Sequence, residues 1–359
     1  MKKLIVLSIL FSAATASYGG NPDRIGQAGA AQLNINGWGR SSGWGWCAVS
    51  NSTGLEAMYN NLGGLAYTEN TEIIFSRTSW LRGSDININS FGFSQNLGGN
   101  GVLGLCVMSY DMGEIPITTV EQPDGNLGTY KPTITNITAG FSKQFTREIS
   151  GGVGFKVYSE AITNVKTQGV GLDAGIQYIS TLRKDQKLKQ NDVRFGVSLK
   201  NIGPDSRFAG DGLSTKLTDP STDVEYTVNQ RAAKFNIPTL LNISASYDLR
   251  LDKNDETYFH RMTPAFTFTN NAFAANQFTL GLEYGYKSMF QVRTGFAYED
   301  GIFSYDTRTN AHTGIMGGFT FEVPIKEDSE TTFGFDYSYR HSNPFGGSHS
   351  FGVRLNIGE

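Results

Sequence analysis

The chain has few of the features that mark a soluble catalyst or a helical membrane protein. Two cysteines in 359 residues, Cys47 and Cys106, are too few and too far apart for a zinc site or a disulfide framework. Lysine and arginine number 30 against 33 aspartates and glutamates, so no basic surplus exists to hold nucleic acid. The four histidines, His260, His312, His341 and His349, fall in or beside predicted turns and loops. No serine, cysteine or carboxylate pair stands in a catalytic motif, so the residues predict neither an enzyme nor a bound metal or cofactor. Past the N-terminal leader, no apolar run approaches the ~18 residues that a transmembrane helix needs. Such a chain enters a membrane only as a closed barrel, because lipid offers no partner to unpaired backbone groups.

Glycine (43 residues) and aromatic side chains (12%) are abundant instead, a pairing that suits sharply bending sheets with rings at their ends. The leader reads as an export signal: Lys2-Lys3, an apolar run over 4–11, then Ala14-Thr15-Ala16 as a small-residue cleavage site. The expected division is a signal peptide (1–16), an N-terminal plug (17–70) and an outer-membrane β-barrel (71–359).

Residues 36–66 organise the rest. Trp38, Trp44 and Trp46 lie within nine residues of one another, separated by Gly39, Gly43 and Gly45, with no alternation long enough for a strand. Further on, Thr53 and Glu56 have capping-box spacing, Leu55, Met58 and Leu62 share one helical face, and Gly63-Gly64 supplies a stop. This segment is expected to be a compact plug with a short helix, held by its tryptophans inside the cylinder that follows.

From Thr71 the period switches to two. In 277–287, Phe278, Leu280, Leu282, Tyr284 and Tyr286 alternate with Gln277, Thr279, Gly281, Glu283, Gly285 and Lys287. Apolar alternation ending in aromatics, over segments of about ten residues, is the pattern of a transmembrane barrel. About fourteen such segments follow: 71–80, 84–94, 101–110, 133–145, 149–158, 169–179, 192–202, 239–250, 261–269, 276–287, 289–299, 313–322, 332–340 and 348–358. Within 84–94 the phase slips between Ile88 and Phe91, which predicts a bulge. Connections 111–132, 159–168, 203–238, 300–312 and 341–347 are assigned to the outside. Most of the intervening ones (95–100, 146–148, Ser288) are short, with 180–191 and 251–260 as longer exceptions. The predicted inward set, including Lys156, Asp173, Arg194, Lys200, Asp248, Glu283, Arg293, Asp336, Arg340 and Arg354, carries both signs. It suits a plugged or narrow lumen, with Glu283 and Arg293 paired across neighbouring strands. Cys47 and Cys106 both face that lumen, as a disulfide or as small apolar fillers.

Two outer connections carry candidate contact residues: Ile115, Pro116 and Ile117 in the first, and Phe208, Leu213, Tyr226 and Phe235 in the second. These side chains either fold over the barrel mouth or meet a partner.

The chain resembles the PorV family of the type IX secretion system, itself similar to FadL-like barrels. The resemblance is carried by Trp38-Gly39-Arg40-Ser41-Ser42-Gly43, by Gly54-Leu55-Glu56-Ala57-Met58-Tyr59-Asn60-Asn61 with Gly63-Gly64-Leu65-Ala66, by Thr71-Glu72-Ile73-Ile74-Phe75-Ser76 with Trp80-Leu81, and by Leu199-Lys200-Asn201-Ile202-Gly203. It implies a 14-stranded outer-membrane barrel in Bacteroidetes-type export, a system linked to gliding motility. Its partners would be the translocon, the C-terminal domains of secreted cargo and the surface attachment machinery, besides the lipid bilayer. Two positions depart from the wider pattern: Asn61-Leu62-Gly63 lacks a proline, and the chain ends Ile357-Gly358-Glu359 rather than in an aromatic. The competing reading is a FadL-like channel for uptake of hydrophobic small molecules.

Overall fold

The computed structural model describes residues 22–180, 192–252, 259–287, 289–325, 330–342 and 345–358. The predicted signal peptide, most of connections 180–191 and 251–260, and Ser288 lie outside the described residues. Fourteen antiparallel strands close into one barrel: β1 Thr71–Trp80, β2 Ile86–Asn96, β3 Val102–Asp111, β4 Thr133–Gln144, β5 Ile149–Ile162, β6 Val165–Ser180, β7 Val193–Ile202, β8 Leu240–Tyr247 (continued past Asp248 by Leu249–Arg250), β9 His260–Asn271, β10 Gln277–Tyr286, β11 Phe290–Glu299, β12 Gly314–Pro324, β13 Thr332–Arg340 and β14 Ser348–Ile357. Closure is made by β1 on β14, with Ile73 opposite Leu355 and Phe75 opposite Val353. Every strand therefore has two neighbours and no edge is left to aggregate.

The alternation is explained by what each face meets. Phe75, Leu105, Phe155, Ile176, Leu280, Phe296 and Phe351 point outward and are exposed, as expected of a surface made for lipid. The opposite face meets the chain's own N-terminal segment. Glycines on this face make room for its side chains: a Cβ on Gly140 would lie 2.9 Å from Leu62 Cδ2 and 3.0 Å from Met58 Cε, and one on Gly92 would lie 2.6 Å from Leu55 Cδ2. A bare inward position is thus a socket for a knob on the enclosed segment.

Three expectations are corrected. The phase slip in β2 is not a bulge, since β2 pairs with β3 in unbroken register from Asn87 to Asn96. Ile88 breaks the pattern because it is an inward apolar residue, fully buried against the cluster around Trp38. The bulge lies instead in the β6–β7 pairing, where the register shifts between Leu172 and Ala174 opposite Asn201, whose φ of 57° is left-handed. Second, 159–168 is not a loop: β5 and β6 continue to a two-residue turn at Thr163-Asn164, and connection 203–238 packs on this hairpin through backbone bonds between Lys166 and Ala209. Third, the capping box does not form. Thr53 makes no side-chain cap, and the segment is a series of single turns at Gly39–Ser42, Ala48–Asn51 and Ala57–Asn60 interleaved with 3-10 turns. Glu56 is drawn away by Arg354 and by the amides of Arg40 and Ser41.

Asn201 explains the Leu199-to-Gly203 motif physically. It accepts from Lys156 Nζ at 2.7 Å and donates from Nδ2 to Asn34 Oδ1 (2.8 Å) and Pro238 O (3.0 Å), tying the wall to the N-terminal segment and a returning loop. Asn201→Ala removes these bonds and puts alanine in a left-handed conformation, so we expect a loss on the order of 2–4 kcal/mol. Thermal unfolding followed by gel mobility checks this; an unchanged midpoint would contradict the assignment.

Candidate functional site

The N-terminal segment runs the length of the lumen. At the end with the short turns, Asn96 donates its amide to Asn70 O and its side chain to Thr68 O. At the loop end, Gly29 N donates to Asn236 O, and the Arg24 guanidinium lies 4.2 Å over the Phe273 ring. Between these ends Trp38, 0% exposed, packs with Leu55, Met58, Leu62 and Leu65 against Ile74, Ile88, Val102, Cys106, Met108 and Tyr110. Trp44 packs separately with Cys47 and Ala265, and Trp46 stacks on Tyr59 with ring centroids 6.0 Å apart. The structure therefore brings Trp38, Leu55, Met58 and Leu62 together and sets Trp44 and Trp46 apart, over β8 to β10.

Near the turn end the segment is held by charge. Arg354 on β14 donates from Nη2 to Glu56 Oε1 at 3.0 Å, and lies 3.1 Å from both Glu72 and Asp336. Glu72 of the wall accepts the Leu55 amide at 2.6 Å, and Glu56, held by Arg354 of the wall, accepts the Ser41 amide of its own segment at 2.8 Å. Glu283 and Arg293 pair at 2.5 Å as expected from their opposite positions on β10 and β11, and Lys156 pairs with Asp173 at 2.8 Å.

The cysteines are both free and buried, in different surroundings. Cys47 Sγ lies 3.5 Å from Thr279 O and Cys106 Sγ lies 3.4 Å from Met58 Sδ, so each fills a small gap in packing. Burial pushes the Cys47 thiol up to about 12, which leaves almost no thiolate at neutral pH. Maleimide is accordingly expected to leave Cys47 unlabelled in the folded barrel and to label it on heat unfolding; rapid labelling at pH 7 would show that the segment opens.

At the loop end a cavity of about 390 Å³ opens between the N-terminal segment and the wall. Trp46 and Tyr59 form its floor, Ile35, Leu240 and Met316 its apolar sides, and Trp80, Phe273 and His312 its upper walls. His312 stands edge-on to Trp80 at 4.4 Å, and burial holds its imidazole well below its ordinary range, so the ring is neutral. The cavity has the size and mixed lining of a small-molecule site. The period of two places Arg340 and Lys200 inward, whereas in the sequence Tyr59 and Trp80 stand out only as motif residues, His312 only as a loop histidine, and Phe273 not at all. Those four come from separate elements that only the closed topology assembles.

The candidate contact residues divide. Phe235 turns in beside Ala30, Leu33, Tyr158 and Ile237, with Phe208 tilted against it at 5.6 Å. Leu213 is half-buried. Ile115 and Pro116 form one side of a small ribbon with Thr129–Tyr130 and, with Ile117, are exposed. Tyr226 is 52% exposed on a second ribbon, Ser214–Thr218 with Glu225–Asn229, directly opposite exposed Leu217.

No known family profile matches this chain, and no curated protein matches it. Solved structures do. The toluene transporter TbuX of Ralstonia pickettii aligns with a TM-score of 0.50 at 13% identity, over 90% of this chain and 98% of that one. The toluene transporter TodX of Pseudomonas putida aligns with a TM-score of 0.52 at 11% identity, over 90% of this chain and 97% of that one. At such identity the likeness is one of fold: a closed FadL-like barrel of fourteen antiparallel strands.

Proposed function

We propose that this chain is a non-enzymatic outer-membrane barrel that takes up a small hydrophobic molecule at its loop end. The loop end faces outward, and the N-terminal segment plugs the route. The observation that carries this reading is the ring-lined cavity of about 390 Å³ at the mouth, closed below by the plug. The fold it shares with two toluene transporters supports it. Purification in mild detergent followed by native mass spectrometry tests it: a stoichiometric small apolar ligand, lost when Tyr59→Ala disrupts the cavity floor, is the expected result. A barrel that never carries or accepts such a molecule would refute it.

A second reading, service as a type IX secretion component that receives cargo C-terminal domains from the translocon and hands them to the attachment machinery, rests on the sequence resemblance, and exposed loop side chains are where a protein partner would be met. Val120 (101% exposed), Leu217 and Tyr226 stand uncovered on outer connections, where a lone barrel gains nothing from apolar side chains. Shortening 203–238 is expected on this reading to leave an assembled barrel that no longer supports cargo export. Unchanged export would remove it.

A further inference from the structure

We propose that the mouth cavity is selective for a planar aromatic acid, with Arg340 meeting its anionic group and the Trp46–Tyr59 pair meeting its ring. This rests on the small-molecule reading above and narrows it.

The first observation is electrostatic. The buried inward cations Arg293, Arg354 and Lys156 each have a carboxylate within hydrogen-bonding distance, and Arg194 lies 3.4 Å from Asp248. Arg340 lines the cavity and is 6% exposed, yet among the described residues no carboxylate lies within 4.0 Å of it. One nitrogen, Nη2, donates to Asn36 O at 2.7 Å, while Nε has no hydrogen-bond partner. A guanidinium taken out of water without a counter-charge is costly, and an anion entering the cavity would relieve that cost.

The second observation lies behind the ring pair. Lys200, 1% exposed, places Nζ 3.4 Å from the Tyr59 ring centroid and 4.9 Å from that of Trp46, and this Nζ also lacks a hydrogen-bond partner. Its charge is held by the ring faces instead of a carboxylate. The stacked pair is thereby fixed in place and backed by positive charge. Lys200 does not line the cavity, so it is a positioning residue.

The shape of the lining selects the body of the ligand. Trp46, Tyr59, Trp80, Phe273 and His312 surround one compact space. A flexible acyl chain would gain only contact area there, whereas a flat ring also gains oriented stacking and edge contacts. A neutral hydrocarbon would use the rings and leave Arg340 with the Asn36 carbonyl and the Trp80 ring, 5.8 Å from its Cζ, but no counter-charge.

The test uses the purified full chain in nanodiscs, with binding read by tryptophan emission and calorimetry. The probes are 2-naphthoate, methyl 2-naphthoate and decanoate. We expect naphthoate to bind at least about tenfold more tightly than either of the others, with Arg340→Met erasing the advantage and Arg340→Lys keeping most of it. Lys200→Met should weaken naphthoate and shift the Trp46 emission while the barrel keeps its heat-modifiable mobility. An ester that binds as tightly as the acid would overturn the anionic part and leave the small-molecule reading standing. Tighter binding of decanoate would overturn the aromatic part. Failure of all three ligands to bind would overturn this inference together with the reading beneath it.

Discussion

Arg354→Met is expected to free the N-terminal segment from the wall and to destabilise the assembled protein by on the order of 3–5 kcal/mol. The magnitude follows from what remains behind. Glu56, Glu72 and Asp336 are each almost wholly buried and share that one guanidinium. Without it, negative charges face one another in a space closed to bulk water, and separating them means withdrawing Glu56 and the backbone around it. Limited proteolysis of the assembled barrel provides the readout, with cleavage expected within residues 30–67 in the variant and protection in the parent. A combined variant, Arg354→Met with Glu56→Gln, Glu72→Gln and Asp336→Asn, should recover much of the loss, because replacing a whole buried ion cluster costs far less than removing one member. Full protection in the single variant would show that packing alone holds the segment.

Gly140→Leu should loosen the same segment through shape rather than charge. The new side chain would enter the volume now occupied by Leu62 and Met58. Overpacking of a tight core usually costs about 1–3 kcal/mol. Here the wall is fixed by strand pairing on both sides, so the enclosed segment is the part that yields. We expect a conductive pore in planar bilayers where the parent is closed, and partial restoration of closure by adding Leu62→Ala. Identical conductance in parent and Gly140→Leu would mean that the segment does not seal the lumen.

The barrel was largely legible in the sequence because its cause is local. A residue's outward or inward position is set by a period of two, and the outward apolar set of β10 or β14 needs no knowledge of distant strands. The lumen was legible in part. Inward charges such as Glu283 and Arg293 could be paired because they lie on adjacent segments. The grip of Arg354 on Glu56 could not, since it joins residues 298 positions apart across a closure that no local pattern specifies. The capping box misled for the same reason: Thr53 and Glu56 have the right spacing, but a buried arginine outcompetes a local cap for the carboxylate. Ile88 was misread because an inward apolar residue looks like a register fault until the hydrophobic plug beside it is seen. The mouth cavity was not legible, being assembled from residues near positions 35, 46, 59, 80, 240, 273, 312 and 340.

The N-terminal segment threads the cylinder from the loops to the turns and is continuous with β1, the strand that meets β14 to complete the ring. In order of synthesis the contents therefore precede the container. The early residues can act as a mandrel: knobs such as Leu55, Met58 and Leu62 await the glycine sockets of β2 to β5, and the last seam joins the first strand only once the circumference is lined. Sealing thus becomes a by-product of assembly, and a barrel that closed empty would have left its own beginning outside.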